Sequence, residues 1–278
     1  MKKAIVIVGL GLIGGSIAKA LKAGTEHEVL GMDACEETLL DACSCGAIDG
    51  KATQRDLERA DLVYLCVYPE AAVEFVRRYG ADLKPNCIVT DTCGIKKEVC
   101  AGIEALKDAG NFVFVAGHPM AGKEFSGFAF SDPSIFVGAS YIIAPCGAPD
   151  WATEEVASLA GEMGFGRIVM TTPEKHDKII AFTSQVPHVL ACAYVMSPRC
   201  REHRGFSAGS YRDVSRVARI NDRLWSRLFL DNREDLVDEL DVLTENIQKI
   251  RNAVANGEEE SLRALLREAA EIKMQDDS

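Results

Sequence analysis

No stretch of these 278 residues stays apolar long enough to cross a membrane. The longest runs, such as residues 4–12, fall far short of the roughly 20 residues that a bilayer requires. Nor does the start show the charged-then-apolar layout of a secretory leader, so the expected compartment is the cytoplasm. Basic charge is in deficit as well: 31 Lys and Arg stand against 42 Asp and Glu, a net charge of −11 that argues against a nucleic-acid surface. Ten cysteines are present but no C-x-x-C pair. The nearest approach to one, Cys43 and Cys45, lies on a helical stretch where the two side chains diverge. The expectation is therefore reduced, mostly buried thiols and no metal site or disulfide framework. Histidine is scarce at five residues, so each position can be weighed singly. What remains, 47% apolar and 26% charged, is the composition of a globular chain with ample core.

Two halves differ in their periodicity. Up to about residue 171, short β-rich runs at 4–8, 29–32, 62–67, 88–90, 112–115, 141–144 and 168–170 alternate with amphipathic segments at 14–23, 35–45, 69–79, 96–109 and 151–163. The runs are continuously apolar, which implies burial on both faces and a mainly parallel sheet with helices on each side. Beyond Thr171 no strand pattern is left. Thr172 and Pro173 read as an N-cap and a first-turn proline for a long helix, which Pro187 should kink. Leu236, Leu240, Leu243, Ile247, Ile250 and Val254 follow the three-and-four spacing of a second long helix, and Leu262, Leu265, Leu266 and Ile272 mark a last one. The fold class is thus α/β, with a doubly wound, Rossmann-type domain over 1–171 and an all-α domain over 172–278. The second domain has more apolar helix surface than one helix can bury, so a homodimer is expected, with packing on the first domain as the alternative. The acidic end, residues 275–278, is expected to fray.

Residues 9–16 read GLGLIGGS between a strand and a helix, so Gly9, Gly11 and Gly14 fill the G-x-G-x-x-G pattern. The first glycine permits the tight turn, the second lets backbone approach a pyrophosphate, and the third brings helix and strand together. The helix start, through Leu12 and Ile13, offers N–H groups and the positive dipole end to phosphates. A second strand ends at Asp33, nineteen residues beyond Gly14, where a carboxylate can accept both ribose hydroxyls and repel a 2′-phosphate. NAD is therefore the expected cofactor. Val67 and Tyr68 end the next strand and are placed along it, although Tyr68 could equally cap the core.

The 113–122 segment, VFVAGHPMAG, should end a strand at Gly117-His118-Pro119. Proline fixes its own φ and biases the preceding residue toward extended geometry, so His118 is held at the mouth of the same crevice. Its neutral imidazole is suited to take a proton from a substrate hydroxyl beside the nicotinamide. His27 and His203 fit ordinary loop positions, whereas His188 sits at the Pro187 break. Arg216 follows Asp213 by three residues and could pair with it, or its fork could grip a substrate carboxylate. Arg212, Arg219 and Arg223 read as a solvated face.

Together, GLGLIGGS, DTCGIK at 91–96, GHPMAG at 117–122, VPH at 186–188 and YRDVSRVA at 211–218 resemble the prephenate dehydrogenase family from about Lys2 to Arg251. The resemblance implies NAD-dependent oxidative decarboxylation of prephenate to 4-hydroxyphenylpyruvate, on the way to tyrosine. It gives His118 the ring hydroxyl, Arg216 the substrate carboxylate and His188 a place near the side chain. It makes Trp225 the family's tryptophan near the site, in one arrangement presented across the dimer. Many members have serine at Gly94, threonine at Lys123 and histidine at Gln185. These departures put Gly94, Lys123 and Gln185 among the substrate-binding candidates, Lys123 as an added cation, and leave arogenate open beside prephenate. No regulatory domain is recognisable after the helices, so any inhibition by tyrosine would have to act at the active site itself. Two rivals remain. A β-hydroxyacid dehydrogenase would take Lys178 as catalyst, and a nonenzymatic NAD sensor would need neither His118 nor Arg216.

Overall fold

The computed structural model describes residues 2–276 except Glu124. Its strands are β1 (Ala4–Val8), β2 (Glu28–Met32), β3 (Gly50–Lys51), β4 (Leu62–Leu65), β5 (Ile88–Asp91), β6 (Val113–Pro119), β7 (Ser140–Ala144) and β8 (Arg167–Met170). The helices among them are α1 (Leu12–Gly24), α2 (Glu36–Ser44), α3 (Gln54–Leu57), α4 (Pro69–Tyr79), α5 (Lys97–Glu104) and α6 (Asp150–Glu162). After β8 come α7 (Pro173–Ile180), α8 (Val186–Val195), α9 (Gly209–Ser215), α10 (Asp222–Asp231), α11 (Arg233–Asn256) and α12 (Glu259–Asp276).

The eight strands form one sheet in the order β3-β2-β1-β4-β5-β6-β7-β8. From β1 the chain winds outward through β2 and β3, then returns to β4 on the other side, which sets the switch point between β1 and β4. Ile5, Ile7, Tyr64 and Ile88 pack beneath one layer of helices, while Val6, Val63, Leu65 and Val89 pack beneath the other. Continuous hydrophobicity in these strands is what a sheet covered on both faces requires. β3 escaped the sequence reading because two residues carry no period.

His118 is the next-to-last residue of β6, at the strand end that the sequence suggested. That strand pairs in parallel with β5 over Val113–Val115 and then, antiparallel, with β7 from Ala116 to Pro119. The change of partner extends the strand, and Pro119, which has no N–H to give, closes it.

Thr172 caps α7, its hydroxyl accepting from the Lys175 N–H at 3.3 Å. Pro187 cannot donate a backbone hydrogen bond, and residues 181–185 just before it open into a π-helical turn between α7 and α8. The last two helices leave apolar side chains bare in the single chain: Val254 is 61% exposed and Ile272 61%. The acidic end is helical through Asp276, and Asp277 and Ser278 lie outside the described residues.

The ten cysteines are free, but only Cys87, Cys93 and Cys100 are fully buried. Cys35 and Cys45 flank the solvent-side ends of α2 and are exposed, against the expectation of mostly buried thiols. No described helix is long and apolar enough to cross a membrane.

Candidate active site

At the switch point the three glycines behave differently. Gly9 has φ +87°, and a Cβ there would lie 2.5 Å from the Cys66 carbonyl oxygen. A Cβ on Gly14 would collide with the Gly9 carbonyl. Around Gly11 the space is open, with nothing within 4 Å of where a Cβ would stand. Two glycines are therefore demanded by the protein's own packing, and the third keeps room free over the start of α1. That start has no side-chain cap, which leaves its first-turn N–H groups, from Leu12 onward, without one partner each. Asp33 reaches across the loop from the end of β2, accepting from the Leu10 N–H at 2.7 Å and from the Cys35 N–H at 2.8 Å. These two bonds fix the carboxylate, and its other lone pairs suit ribose hydroxyls. Lys51, a nearby cation that could have welcomed a 2′-phosphate, is ion-paired with Glu36. An open glycine, an uncapped helix start and a fixed acid together fit NAD. Val67 packs its side chain toward Gly9, and Tyr68, 45% exposed, does not cap the core.

Across the crevice the construction is polar. His118 Nδ1 lies 2.8 Å from His176 Nε2, and His176 Nδ1 lies 2.6 Å from Asp177 Oδ1. Asp177 also accepts from the backbone N–H groups of Lys96 at 2.7 Å and Lys97 at 2.8 Å, so it docks the start of α5 onto α7. Below, Lys96 and Asp91 form an ion pair whose side chains are 1% and 0% exposed. Asp91 further accepts from the Cys93 N–H at 3.0 Å and from the Gly117 N–H at 3.2 Å, next to His118. A residue larger than glycine at 117 would press on the Tyr141 hydroxyl and the Asp91 carbonyl.

Burial, followed by the nearby His176 and Lys96, holds the His118 imidazole well below its ordinary pKa. Burial also lowers His176, with Asp177 opposing. Burial works against the Lys96 charge, but Asp91 beside it prevails and raises the ammonium. The outcome is two neutral imidazoles hydrogen-bonded to each other above a closed ion pair.

A second cluster adjoins this one. His188 stacks on Trp225 with ring centroids 3.7 Å apart, and its Nδ1 lies 2.7 Å from the Ser184 carbonyl oxygen. Burial and then the Arg216 charge lower the His188 pKa, against the Ser184 carbonyl that favours its charged form. The two rings belong to one chain, so Trp225 reaches His188 without a partner subunit. One turn along α10, Leu228 faces Gly94: a Cβ at that glycine would sit 3.6 Å from both Leu228 methyls, an ordinary contact.

Two candidate residues are differently employed than the sequence suggested. Gln185 is 1% exposed and has no free amide to present to a ligand. Its Nε2 donates to the Leu228 carbonyl at 2.9 Å, and its Oε1 accepts from Asn232 Nδ2 at 2.9 Å. Asn232 also donates to the Asp177 carbonyl at 2.9 Å, so Gln185 ties α10 to the π-helical turn. Lys123 is paired with Asp132 at 2.8 Å, and the Asp132 N–H donates to Ser16 Oγ on α1. That ion pair holds the Asp132 carboxyl well below the usual carboxylate range. Lys123 is thus a neutralised cation tied toward the nucleotide helix. Lys178, which a β-hydroxyacid dehydrogenase would use, is exposed, whereas its neighbours His176 and Asp177 are buried.

His176, Asp177 and Asn232 went unnoticed in the sequence. The available signal was a histidine and an aspartate adjacent on the face of α7 that Ile180 also buries.

A family model described as prephenate dehydrogenase, nucleotide-binding domain, matches residues 17–169. A second, described as prephenate dehydrogenase, dimerization domain, matches residues 172–268. The cyclohexadienyl dehydrogenase of Zymomonas mobilis is 31% identical over 283 residues, covering 98% of this chain and 95% of that protein. The prephenate dehydrogenase of Bacillus subtilis is 29% identical over 272 residues, covering 94% and 73%. Among solved structures, A. aeolicus prephenate dehydrogenase in complex with hydroxyphenyl propionate and NAD+ superposes with a TM-score of 0.87 at 24% identity, covering 99% of this chain and 98% of that one. Synechocystis arogenate dehydrogenase superposes at 0.83 with 23% identity, covering 98% and 99%.

Proposed function

Because the chain belongs to the prephenate dehydrogenase family, we propose that it oxidatively decarboxylates prephenate to 4-hydroxyphenylpyruvate with NAD, a step toward tyrosine. The observation that carries this reading is His118: a neutral, partly exposed imidazole held by one hydrogen bond at the end of β6, on the same carboxyl edge of the sheet as the glycine loop. Gly9, Gly11, Gly14, the α1 start at Leu12 and Ile13, and Asp33 hold the cofactor, with Val67 and Tyr68 alongside. Bound NAD supplies the hydride acceptor.

The rest is done by side chains. His118 draws the proton from the ring hydroxyl as the hydride leaves the same carbon, so the C–O bond becomes a carbonyl. The ring carboxylate then departs as carbon dioxide, and its bonding electron pair enters the ring, which becomes aromatic. The carbonyl oxygen is now a phenolate, and the proton held on His118 returns to it. Arg216 binds a substrate carboxylate, with His188 and Trp225 walling the side-chain end and Gly94 leaving space beside Leu228. Tyrosine, which carries the product's phenol, competes for this pocket.

Residues 1–171 act as the cofactor domain and 172–278 as the substrate and dimerisation domain. The match of residues 172–268 to a dimerization domain and the bare apolar stripe on α11 and α12 support a homodimer. Replacing Val254 and Ile272 with aspartate should halve the mass measured by light scattering if that stripe is the interface. The free thiols support a reducing cytoplasm.

Absorbance at the NADH band, with purified protein, NAD and either prephenate or arogenate, tests the reaction. Reduction with prephenate is the expected result. Reduction with arogenate alone would keep the chemistry and change the substrate. Reduction with neither would overturn the reading.

A further inference from the structure

Resting on the reading of His118 as the proton acceptor, we infer that His176 and Asp177 are positioning residues that fix the His118 tautomer, so that Nε2 rather than Nδ1 is the basic atom. Asp177 is surrounded by N–H groups: the Lys96 and Lys97 backbone amides take both its oxygens, and His176 Nδ1 meets Oδ1. A carboxylate accepts, so His176 Nδ1 is the donor and carries its proton there. In a neutral imidazole the other nitrogen then has a bare lone pair, so His176 Nε2 is an acceptor. The only ring it faces at 2.8 Å is His118, whose Nδ1 must supply the hydrogen. The single proton of neutral His118 is thereby committed to Nδ1, and Nε2 is left unprotonated.

Burial separates the roles. His176 is 3% exposed and Asp177 0%, whereas His118 is only partly covered. Substrate can reach His118 alone. The chain of hydrogen bonds ends on backbone amides of α5, and Asp177 offers no onward route to water. The arrangement suits a proton that is held and then returned to the phenolate oxygen, and not one that is exported. When Nε2 takes that proton, the new positive charge lies one imidazole away from the Asp177 carboxylate. The groups facing the pair are accounted for: Lys96 opposes the charge and Asp91 cancels Lys96.

The sequence already carries a reason for this support. Gly94 has no hydroxyl to steer His118, and the steering comes from α7, a different domain.

The test needs no substrate for its first part. In protein labelled with ¹⁵N-histidine, long-range proton–nitrogen correlation reads the tautomer of each of the five rings, with His118→Asn and His176→Leu assigning the two signals. The expected result is a single Nδ1–H form for both His118 and His176 near neutral pH. An Nε2–H form of His118 would overturn the inference, whatever the enzyme does. The second part compares His176→Leu with His176→Gln in the prephenate assay, per folded molecule. Leucine should lower kcat about 10²-fold with the KM for NAD unchanged. Glutamine, whose carbonyl can accept the Nδ1 hydrogen, should recover much of it. Equal kcat in the leucine variant and wild type would mean that His176 only packs. If wild type turns over neither prephenate nor arogenate, the proposed function fails while the tautomer measurement still decides this inference.

Discussion

The two walls of the crevice are built by opposite means. On the cofactor wall, the chain makes room by omission, with Gly9 and Gly14 lacking the side chains that would strike Cys66 and Gly9 itself, and Gly11 open. The working groups there are backbone amides on one contiguous loop, with the single carboxylate of Asp33 beside them. On the substrate wall, the chain makes order by addition. Asp91, Lys96, His118, His176, Asp177, Gln185 and Asn232 are drawn from β5, β6, α7, the start of α5, the α10–α11 junction and one π-helical turn into a connected network of donors and acceptors. The difference teaches what each ligand needs. A pyrophosphate is held by any amide that can approach it, whereas a proton transfer needs one nitrogen in one protonation state.

The sharpest break of the comparison lies among the glycines. Gly11→Ala has space for its methyl in the protein, so its melting temperature should stay within a degree or two of wild type while NAD affinity falls about tenfold or more. Gly9→Ala should lose both, because a positive φ and a clash with the Cys66 carbonyl together cost about 1–3 kcal/mol. Calorimetry with NAD and thermal unfolding on the same samples separate the two outcomes. A Gly11 variant that binds NAD normally would remove the loop from the cofactor site.

On the opposite wall, Gln185→Leu should leave NAD affinity alone. It strips the Leu228 carbonyl and Asn232 Nδ2 of their buried partner, an expected loss of about 1–3 kcal/mol in urea unfolding. A large rise in the KM for prephenate with no loss of stability would restore Gln185 to the substrate.

The smallest effect is electrostatic. His118 and His176 both have folded-state pKa values below the ordinary 6.5. The unfolded chain therefore takes up protons first as the pH drops. Their contribution to stability is complete above about pH 6.5 and declines as the pH falls from there toward 5, before the carboxylates titrate. Unfolding free energy should slope downward over that window, and His118→Asn should flatten the slope.

The same contrast decides how much was legible in the sequence. The cofactor wall could be read because its glycines have a fixed spacing on one contiguous loop after a strand, and Asp33 and Val67 follow the ends of the next strands in the pattern. His118 stood out because histidine is rare here and proline follows it. The sheet could be read from its continuous apolar runs, apart from β3, which is two residues long, and the switch of β6 from β5 to β7, which depends on a strand that begins only at Ser140. The support for His118 could not be read, because hydrogen bonds between residues 58 or 81 positions apart leave no local period. Gln185 and Lys123 were read by residue type as groups for a ligand. Burial commits the first to Leu228 and Asn232, and an ion pair commits the second to Asp132.

The central claim is that His118 does chemistry and does not hold the cofactor. Its direct test is NADH formation from prephenate by wild type and His118→Asn, with NAD affinity measured on both by calorimetry. The account predicts a fall in kcat of about 10³-fold or more with NAD affinity unchanged. Retained turnover, or an equal loss of NAD affinity, would contradict it.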